Sequence, residues 1–459
     1  MNIHRLSTKR GRRCCLSLLL ALGTVTASPA ADSTPVRSAP DWLRGSVIYE
    51  IFPRNFSPSG DFKGITARLD DLKALGVDVL WLMPVHPIGE KLKKGSIGSP
   101  YAVRDYYALN PDYGTTADFD ALVAAAHQRG LKVTIDIVAN HTSWDSVMMK
   151  HPEFYKRDAG GKIQSPADWH DVAWLNYDEP KLRRYMIDVL KYWVRERRVD
   201  GFRCDVAYMV PTDFWEQART ELEQINPNIM MLAEASHPEL LRKAFDMDYS
   251  WPLHATLNRV MIEGAPASDL RASWEESRRQ FPAGALHLRI SDNHDEARAV
   301  ARFGIRGALA AQVLMLTLDG VPLFYNGMEA GDATESGAPA LFEKLPVYWE
   351  PKERPPLRGI YQELIKLRKV HPAFTKGDVI WLRNSAERDL VTFMRMDGKD
   401  EFVAVINLSN RPVVGSVDVM HADQFKPVRI AGTPEVTGNG FPLFRLNAFE
   451  WRLYHRAAK

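Results

Sequence analysis

Short apolar runs alternate with longer amphipathic runs along most of this chain, from about Val47 onwards. Short buried runs are typical of parallel strands, whereas the longer runs have the spacing of helices that pack on one face. Eight strands that alternate with helices predict an α/β fold, a (β/α)8 TIM barrel, rather than an open doubly wound sheet. The predicted strands are Val47–Phe52, Val77–Met83, Lys132–Val138, Gly201–Val206, Ile229–Ala233, Phe245–Tyr249, Leu286–Ser291 and Pro322–Tyr325. The predicted helices include Ile65–Leu75, Thr116–Arg129, Pro180–Arg197, Pro211–Gln224, Arg298–Thr317 and Leu357–Lys369.

Two stretches depart from this alternation. Residues 140–176 are polar and rich in loops, which predicts a short inserted subdomain after the third strand. Beyond 372, short strands separated by polar turns predict a C-terminal antiparallel β-sandwich. Its predicted strands are Val379–Arg383, Leu390–Met396, Phe402–Leu408, Val414–Val419 and Glu450–His455. The predicted division is therefore a barrel formed by 41–139 and 177–372, the insertion at 140–176, and the sandwich at 373–459.

Residues 1–30 are predicted to be a signal peptide. Four basic residues between positions 9 and 13 precede an apolar segment, and small residues follow, with cleavage expected after Ala27 or Ala30. We therefore expect export to the periplasm or the extracellular space, although a membrane-held N-terminus also fits this pattern. Removal of the segment would leave Cys204 as the single cysteine, so stability would come from a large core rather than from disulfides.

Composition narrows the classes of partner. The chain has 459 residues, of which 45% are hydrophobic and 25% charged, as in ordinary globular proteins. A net charge of +2 gives no reason to expect nucleic acid or, once the signal is removed, an anionic membrane as partner. The twelve Trp and fifteen Tyr residues are suited to stacking on the apolar faces of sugars, although core packing is the commoner role of any single aromatic ring.

Three acidic residues follow apolar runs, namely Asp205, Glu234 and Asp295. A carboxylate beside a buried strand is costly unless its charge is stabilised or its proton is used. Because functional side chains of a barrel lie at the carboxyl ends of its strands, we expect the three to converge there. Arg203 shares a strand face with Asp205 and is expected to keep it ionised, whereas the drier setting of Glu234 favours a retained proton. One ionised and one protonated acid is the pair that cleavage of a glycosidic bond needs.

Taken singly, these signals also fit plainer structural roles. Asp205 is placed where a carboxylate caps the following helix, and Asn140 with His141 is placed where a turn begins. Short motifs of this kind carry weight only in their structural context. Their order along the chain, each at a predicted strand end, favours a common site.

Several segments together resemble the α-amylase family of retaining glycoside hydrolases and transglycosylases, from about residue 45 to the end. Asp-Ile-Val-Ala-Asn-His at 136–141 is similar to the first signature region of that family, and Gly-Phe-Arg-Cys-Asp at 201–205 to the region of its nucleophile. The other matching segments are Glu234, Asn293–Asp295, Tyr101–Tyr106 and Asp112–Thr115.

The resemblance implies a role for each matched residue. Asp205 would attack the anomeric carbon to form a β-glucosyl-enzyme, and Glu234 would serve as acid and then as base. Asp295 would hold the distorted sugar through its hydroxyls. The substrate-binding residues that the resemblance implies are Tyr101 beneath the sugar ring, His141 and His294 on its hydroxyls, Arg203 orienting Asp205, and Arg298. The residues alone would equally allow structural roles for the histidines.

The chain also departs from the family pattern. Tyr208 and Met209 stand where many amylases carry the Lys-His pair that serves the aglycone side and calcium. Asn140 is the one candidate metal ligand, and a single oxygen does not make a calcium site, so no cofactor is predicted to be required. Ala102 replaces an Asp that closes the non-reducing end in the oligosaccharide-acting branch, which favours an open cleft.

We therefore expect an exported, retaining α-glucan hydrolase acting on starch, maltodextrins or malto-oligosaccharides. The alternatives are a transglycosylase or an α-glucosidase of the same family, and, from another class, a non-catalytic carbohydrate-binding relative. The sandwich is expected to cover the barrel, with a secondary glucan-binding surface at Trp381 or Trp451 as the other interpretation. The sequence leaves open the preferred linkage, endo or exo action, and the oligomeric state.

Overall fold

Eight parallel strands close into a barrel in the computed structural model, which describes residues 36–350, 357–433 and 440–458. The predicted signal peptide lies outside the described residues. The barrel strands are β1 (Ile48–Ile51), β2 (Val79–Leu82), β3 (Lys132–Ile137), β4 (Gly201–Cys204), β5 (Met230–Ala233), β6 (Met247–Tyr249), β7 (His287–Arg289) and β8 (Val321–Tyr325). Strand β1 pairs with both β2 and β8, which closes the cylinder and confirms the predicted fold class.

Helices surround the barrel. Their bounds are Asp41–Arg44, Pro53–Phe56, Phe62–Thr66, Leu69–Leu75, Thr116–Gln128, Pro180–Arg195, Thr212–Glu223, Leu240–Lys243, Trp251–Asn258, Ser268–Gln280, Ala299–Thr317, Ala338–Phe342 and Leu357–Val370. Within the described ranges, Ala299–Thr317 alone has the length and hydropathy of a membrane span, and 61% of that window is buried. A buried apolar helix of this kind is equally the core helix of a globular fold.

Alternation along the strands sorts the core into two layers. In β2, Val79 and Trp81 fill the barrel interior, whereas Leu80 and Leu82 pack under the surrounding helices. Strand β4 follows the same rule, because Phe202 and Cys204 lie in the outer layer. Arg203 therefore points into the barrel, on the face predicted from the sequence.

One predicted helix is divided in two, and a second, Arg298–Thr317, contains a kink at Gly304, where φ is 68° and ψ is 167°. The run predicted as Ile65–Leu75 forms two helices, Phe62–Thr66 and Leu69–Leu75. The Thr66 hydroxyl bonds to the carbonyl of Phe62 at 2.8 Å, a back-bond that bends helices, and Arg68 has left helical geometry at φ −108° and ψ 7°. Apolar spacing alone does not reveal such a break.

The chain between β3 and β4 contains a short antiparallel pair, His141–Ser143 with Val172–Trp174. The C-terminal part has a five-stranded antiparallel sheet and a separate two-stranded sheet. The strands of the larger sheet, in spatial order, are Asp378–Trp381, Leu390–Met396, Asp400–Asn407, Trp451–Ala457 and Lys426–Pro427, and the smaller sheet pairs Val413–Ser416 with Leu443–Leu446. The short strands Lys426–Pro427 and Leu443–Leu446 were not predicted.

The larger sheet packs one face on the barrel. Trp381 lies 6.0 Å from the ring of Trp274, which belongs to the barrel helix Ser268–Gln280. Arg395 donates a hydrogen bond of 2.8 Å to the carbonyl of Thr317, the last residue of a barrel helix. These contacts give Trp381 a packing partner and favour a covering role for this sheet.

Candidate active site

The carboxyl ends of β4 and β5 bring Asp205 and Glu234 to one guanidinium. Nη1 of Arg203 donates to Oδ1 of Asp205 at 2.9 Å, and Nη2 of Arg203 lies 3.0 Å from Oε1 of Glu234. Both acids come directly after their strands, whose register pairs Gly201 with Met230. The sequence therefore places these two acids correctly at neighbouring strand ends.

Arg203 is buried completely and holds a third acid, Asp136 of β3, at 2.9 Å. Its Nε donates to the hydroxyl of Tyr249 at 3.1 Å, and its guanidinium lies 5.3 Å from the ring of Trp81. Burying a guanidinium is costly unless charges and acceptors surround it. Asp136, Asp205 and Glu234 supply the charges, so Arg203 fixes the mutual positions of the acids.

Burial raises the pKa of Asp205 to about 6, although the neighbouring Arg203 opposes the rise. Burial likewise raises the pKa of Glu234 to about 7, helped by the negative charges of Asp205 and Asp295. Near neutral pH, Asp205 is thus mostly ionised, while a large share of Glu234 keeps its proton. This order is the one expected of a nucleophile and a general acid.

Asp295 stands beside His294 after β7, with its side chain 37% exposed to solvent. Nε2 of His294 is 3.3 Å from Oδ1 of Asp295 and 2.7 Å from the hydroxyl of Tyr101. The Tyr101 ring stacks on the His294 ring at 5.5 Å, and its hydroxyl donates to Asp136 at 3.2 Å. Tyr101 and His294 therefore join Asp295 to the cluster around Arg203.

Glu50 lies on the far side of His294. Its Oε1 forms a short hydrogen bond with Nδ1 of His294, deep in the barrel. Burial lowers the pKa of His294, but Asp295 and Glu50 more than offset it and raise that pKa to about 9. His294 is therefore a cation at neutral pH and holds two acids from opposite sides.

His141 occupies a different setting. It is 3% exposed, and burial lowers its pKa to about 4, so its imidazole is neutral. Its ring meets Trp169 of the insertion edge-on at 5.6 Å. A neutral imidazole can donate one hydrogen bond and accept another, which suits a sugar hydroxyl.

Arg298 does not contact the group of acids around Arg203. It is 3% exposed, and it donates to Asp292 at 3.0 Å, to the carbonyl of Asn326 at 2.9 Å and to Asp332 at 3.3 Å. Among the described residues, its contacts do not include Asp205, Glu234 or Asp295. The structure thus places Arg298 in a neighbouring salt-bridge network.

Sequence reasoning missed Glu50 and Tyr249 and did not single out Asp136. Glu50 is a lone acid inside the apolar run of β1, the same signal that identified Glu234. Tyr249 ends β6, and its hydroxyl accepts from Arg203. A search for polar residues in the second half of all eight barrel strands, and not only after their ends, would have found both residues.

The side chains around Asn140 provide few free oxygen ligands for a structural cation. Oδ1 of Asn140, the candidate ligand, accepts a hydrogen bond from the indole N–H of Trp174 at 3.0 Å. In the described parts of the chain, no group of three or more His, Cys, Asp or Glu side chains is arranged to hold a metal ion. The residues around Asn140 do not fit a calcium site, whose ligands are mostly carboxylate and carbonyl oxygens.

Comparison with known proteins agrees with this geometry. The family model described as "Alpha amylase, catalytic domain" matches residues 50–174 and 167–344. The chain belongs to the α-amylase family. Members of this family are glycoside hydrolases and transglycosylases that act on α-glucans, and this chain is one of its glycoside hydrolases.

Individual relatives span most of the chain. The α-amylase MalA of Haloarcula japonica is 30% identical over 408 residues, which cover 85% of this chain and 59% of the relative. The crystal structure of an α-amylase from Lactobacillus plantarum is 31% identical with a TM-score of 0.80, covering 90% of this chain and 99% of that one. A noncanonic maltogenic α-amylase, AmyB from Thermotoga neapolitana, is 29% identical with a TM-score of 0.77, covering 91% and 97%. The α-amylase family resemblance read from the sequence motifs is thereby confirmed.

Proposed function

We propose that this α-amylase-family chain hydrolyses α-glucosidic bonds of starch or maltodextrins with retention, through a β-glucosyl-enzyme at Asp205. The observation that carries the proposal is the single guanidinium of Arg203 shared by Asp205 and Glu234 at 2.9 and 3.0 Å. Two acids held by one guanidinium are drawn towards each other, as direct attack by one of them on the sugar, without an intervening water molecule, requires. Retaining enzymes have carboxyl groups about 5–5.5 Å apart for this reason.

The first step breaks the glycosidic bond. Oδ1 of Asp205 is held by Arg203, which leaves Oδ2 to attack the anomeric carbon. As the bond to the leaving oxygen breaks, Glu234 transfers its proton to that oxygen. The cationic His294 and the neighbouring Asp295 lie beside the ring hydroxyls, where hydrogen bonds strengthen as the sugar distorts.

The second step releases the sugar. Glu234, now ionised, takes a proton from water, and the water oxygen bonds to the anomeric carbon while the bond to Asp205 breaks. Asp205 leaves as a carboxylate, which Arg203 stabilises. Two inversions at the same carbon give a product with the α configuration.

We further propose that the cleft is open enough for internal cleavage. Ala102 is buried and its carbonyl accepts a hydrogen bond from Gly89 at 2.9 Å, so this position offers no carboxylate to the non-reducing end of a chain. Export also remains part of the proposal, supported by the basic and apolar segments within residues 1–30. Cell fractionation followed by N-terminal sequencing of the recovered protein tests it, and an intact N-terminus in the cytosol would contradict it.

The test of the activity uses purified protein with maltoheptaose, following product sizes and their anomeric protons by NMR. We expect shorter products from internal positions, released first as α anomers. Asp205→Asn should lower kcat by about 10⁴-fold or more, because the nucleophile is lost. The exposed Asp423, changed to Asn, is the matched control and should retain full activity. β anomers released first, or an active Asp205→Asn protein, would contradict the mechanism.

A further inference from the structure

One side chain of the insertion, Trp174, is linked by hydrogen bonds to the sugar-binding candidate His141. The two residues stand opposite each other in the short antiparallel strand pair. The indole N–H of Trp174 donates to Oδ1 of Asn140 at 3.0 Å, and Asn140, which is 1% exposed, directly precedes His141. A contact made within the insertion is thus one residue away from the imidazole that suits a sugar hydroxyl.

The indole determines which way the Asn140 amide faces. An indole nitrogen donates a hydrogen bond but does not accept one, so the amide oxygen must face Trp174. Nδ2 of Asn140 then lies 3.2 Å from Nδ1 of His141 and 4.0 Å from Sδ of Met209. Because an amide NH2 group only donates, Nδ1 of His141 must be the acceptor.

This acceptor role decides the tautomer of His141. Burial lowers the pKa of His141 to about 4, so its ring carries a single N–H near neutral pH. With Nδ1 accepting from Asn140, that hydrogen is on Nε2. His141 is therefore able to donate through Nε2, whereas the other tautomer could only accept there.

A lysine of the same insertion holds the indole in place. Nζ of Lys156 lies 3.6 Å from the centre of the Trp174 ring, and an ammonium in that position is attracted to the face of an indole. The backbone N–H of Lys156 donates to the carbonyl of Trp174, and that of Leu175 to the carbonyl of Asn140, both at 3.0 Å. The indole donor is thus fixed by its own backbone and by a cation on its face.

We propose that Trp174, held by Lys156, is a positioning residue that sets the tautomer of His141 through the Asn140 amide, so that Nε2–H of His141 donates to a sugar hydroxyl. The proposal rests on the proposed function for the identity of this ligand. Without the indole N–H the amide is free to turn, and its oxygen can then accept from an Nδ1–H of His141. Nε2 would lose its hydrogen, and the sugar would lose a donor.

The tautomer is measured by long-range 1H–15N NMR of the histidine-labelled full chain near neutral pH and without substrate. His141→Gln assigns the His141 signals by their loss. We expect the hydrogen on Nε2 in the unmodified protein. Trp174→Phe keeps a flat ring beside Lys156 and removes the N–H, so an Nδ1–H signal should appear. A hydrogen on Nδ1 in the unmodified protein, or an unchanged tautomer in Trp174→Phe, would overturn the proposal.

The same variant tests the consequence for the substrate. Trp174→Phe should lower kcat/KM for maltoheptaose about three- to tenfold, the loss expected for one hydrogen bond. Trp349 is the matched control, because its indole also lies beside a cation, Arg68 at 3.7 Å, and donates to a carbonyl, that of Phe56 at 2.7 Å. Trp349→Phe should change neither the His141 tautomer nor kcat/KM. A purely structural Trp174 predicts a lower Tm for Trp174→Phe with an unchanged tautomer.

The two proposals fail separately. If the unmodified protein does not cleave maltoheptaose but Trp174→Phe changes the His141 tautomer, the proposed function is wrong and the control of the tautomer stands. If the unmodified protein is active and Trp174→Phe changes the tautomer without lowering kcat/KM, the positioning role of Trp174 is wrong.

Discussion

Val206 donates its backbone N–H to Oε2 of Glu234 across 2.7 Å. It does so from a left-handed backbone, with φ 36° and ψ 47°, which a β-branched residue rarely adopts. Such a conformation costs on the order of 1–3 kcal/mol and persists only where the surrounding structure holds it. The residue next to the nucleophile is therefore strained into a position that holds the acid/base.

The pKa values of the two acids predict a narrow pH optimum. Asp205 must be ionised, so kcat/KM should fall as the pH drops through the pKa of Asp205, raised by burial to about 6. Glu234 must be protonated, so kcat/KM should fall again as the pH rises through the pKa of Glu234, raised by burial to about 7. The bell-shaped profile is measured with a soluble malto-oligosaccharide from pH 4 to about 9.

With α-glucosyl fluoride as donor, the basic limb of the pH profile can be assigned to Glu234. Fluoride departs without a proton, so Glu234→Ala should lose the basic limb with this donor and keep the acidic one. A basic limb that persists in Glu234→Ala would show that another group produces it.

Removal of the Arg203 guanidinium should lower both the activity and the stability of the protein. Arg203→Met leaves Asp136, Asp205 and Glu234 crowded without their counter-charge. We expect a loss of about 3–5 kcal/mol in the free energy of unfolding, as for other broken buried pairs. The half-exposed Arg411, paired with Asp389 at 2.7 Å, is the control, and Arg411→Met should cost at most about 1 kcal/mol. Urea unfolding of both variants measures the difference, and equal losses would refute the central position of Arg203.

The charge of Glu50 should be visible in the titration of His294. Burial opposes protonation of His294, but Asp295 and Glu50 raise its pKa from 6.5 to about 9. Glu50→Gln removes one of these charges and should lower that pKa, measured by NMR of histidine-labelled protein. The raised pKa stabilises the folded state below pH 6.5, and this contribution disappears as the pH rises through about 9.

A surface pair supplies the control for that titration. Glu153 lies 3.7 Å from His151, and both side chains are more than 40% exposed. Glu153→Gln should leave the His294 signal unmoved. An unchanged His294 pKa in Glu50→Gln would show that Asp295 alone carries the effect.

Asp319 should stabilise the barrel against acid. Burial tends to raise its pKa, but Arg289 and Arg395, with the indole of Trp274, lower it to about 2. A lowered pKa stabilises the folded state above its unfolded value of 3.8, and this contribution is lost as the pH falls through about 2. Asp319→Asn should therefore cost about 2 kcal/mol at pH 7, with the gap to the unmodified protein closing in acid. Asp423→Asn, in the exposed 3-10 helix Ala422–Gln424, should leave the free energy of unfolding unchanged at either pH.

The sequence was enough to predict those features that depend on neighbouring residues alone. Each barrel strand is an apolar run, and Asp205 and Glu234 follow such runs directly, so their convergence was predictable from the fold class. The stacking of the Tyr208 ring on the His237 ring, with centroids 5.2 Å apart, could not be predicted. It depends on the paths of two turns that share no sequence pattern. Arg298 shows the converse, since its motif matched the family while its hydrogen bonds go to Asp292 and Asp332. Partners distant in sequence are chosen by packing, which periodicity does not encode.

Arg395 donates a hydrogen bond to the carbonyl of Thr317, which is the last residue of the barrel helix Ala299–Thr317. Arg368 donates to the next carbonyls on either side, Leu316 and Leu318. A helix end carries partial negative charge, which such cations neutralise. During synthesis the ribosome completes this helix well before it makes Arg395. The seventh repeat of the barrel is therefore electrostatically complete only after Arg395, in the C-terminal sheet, has been made and has packed against it.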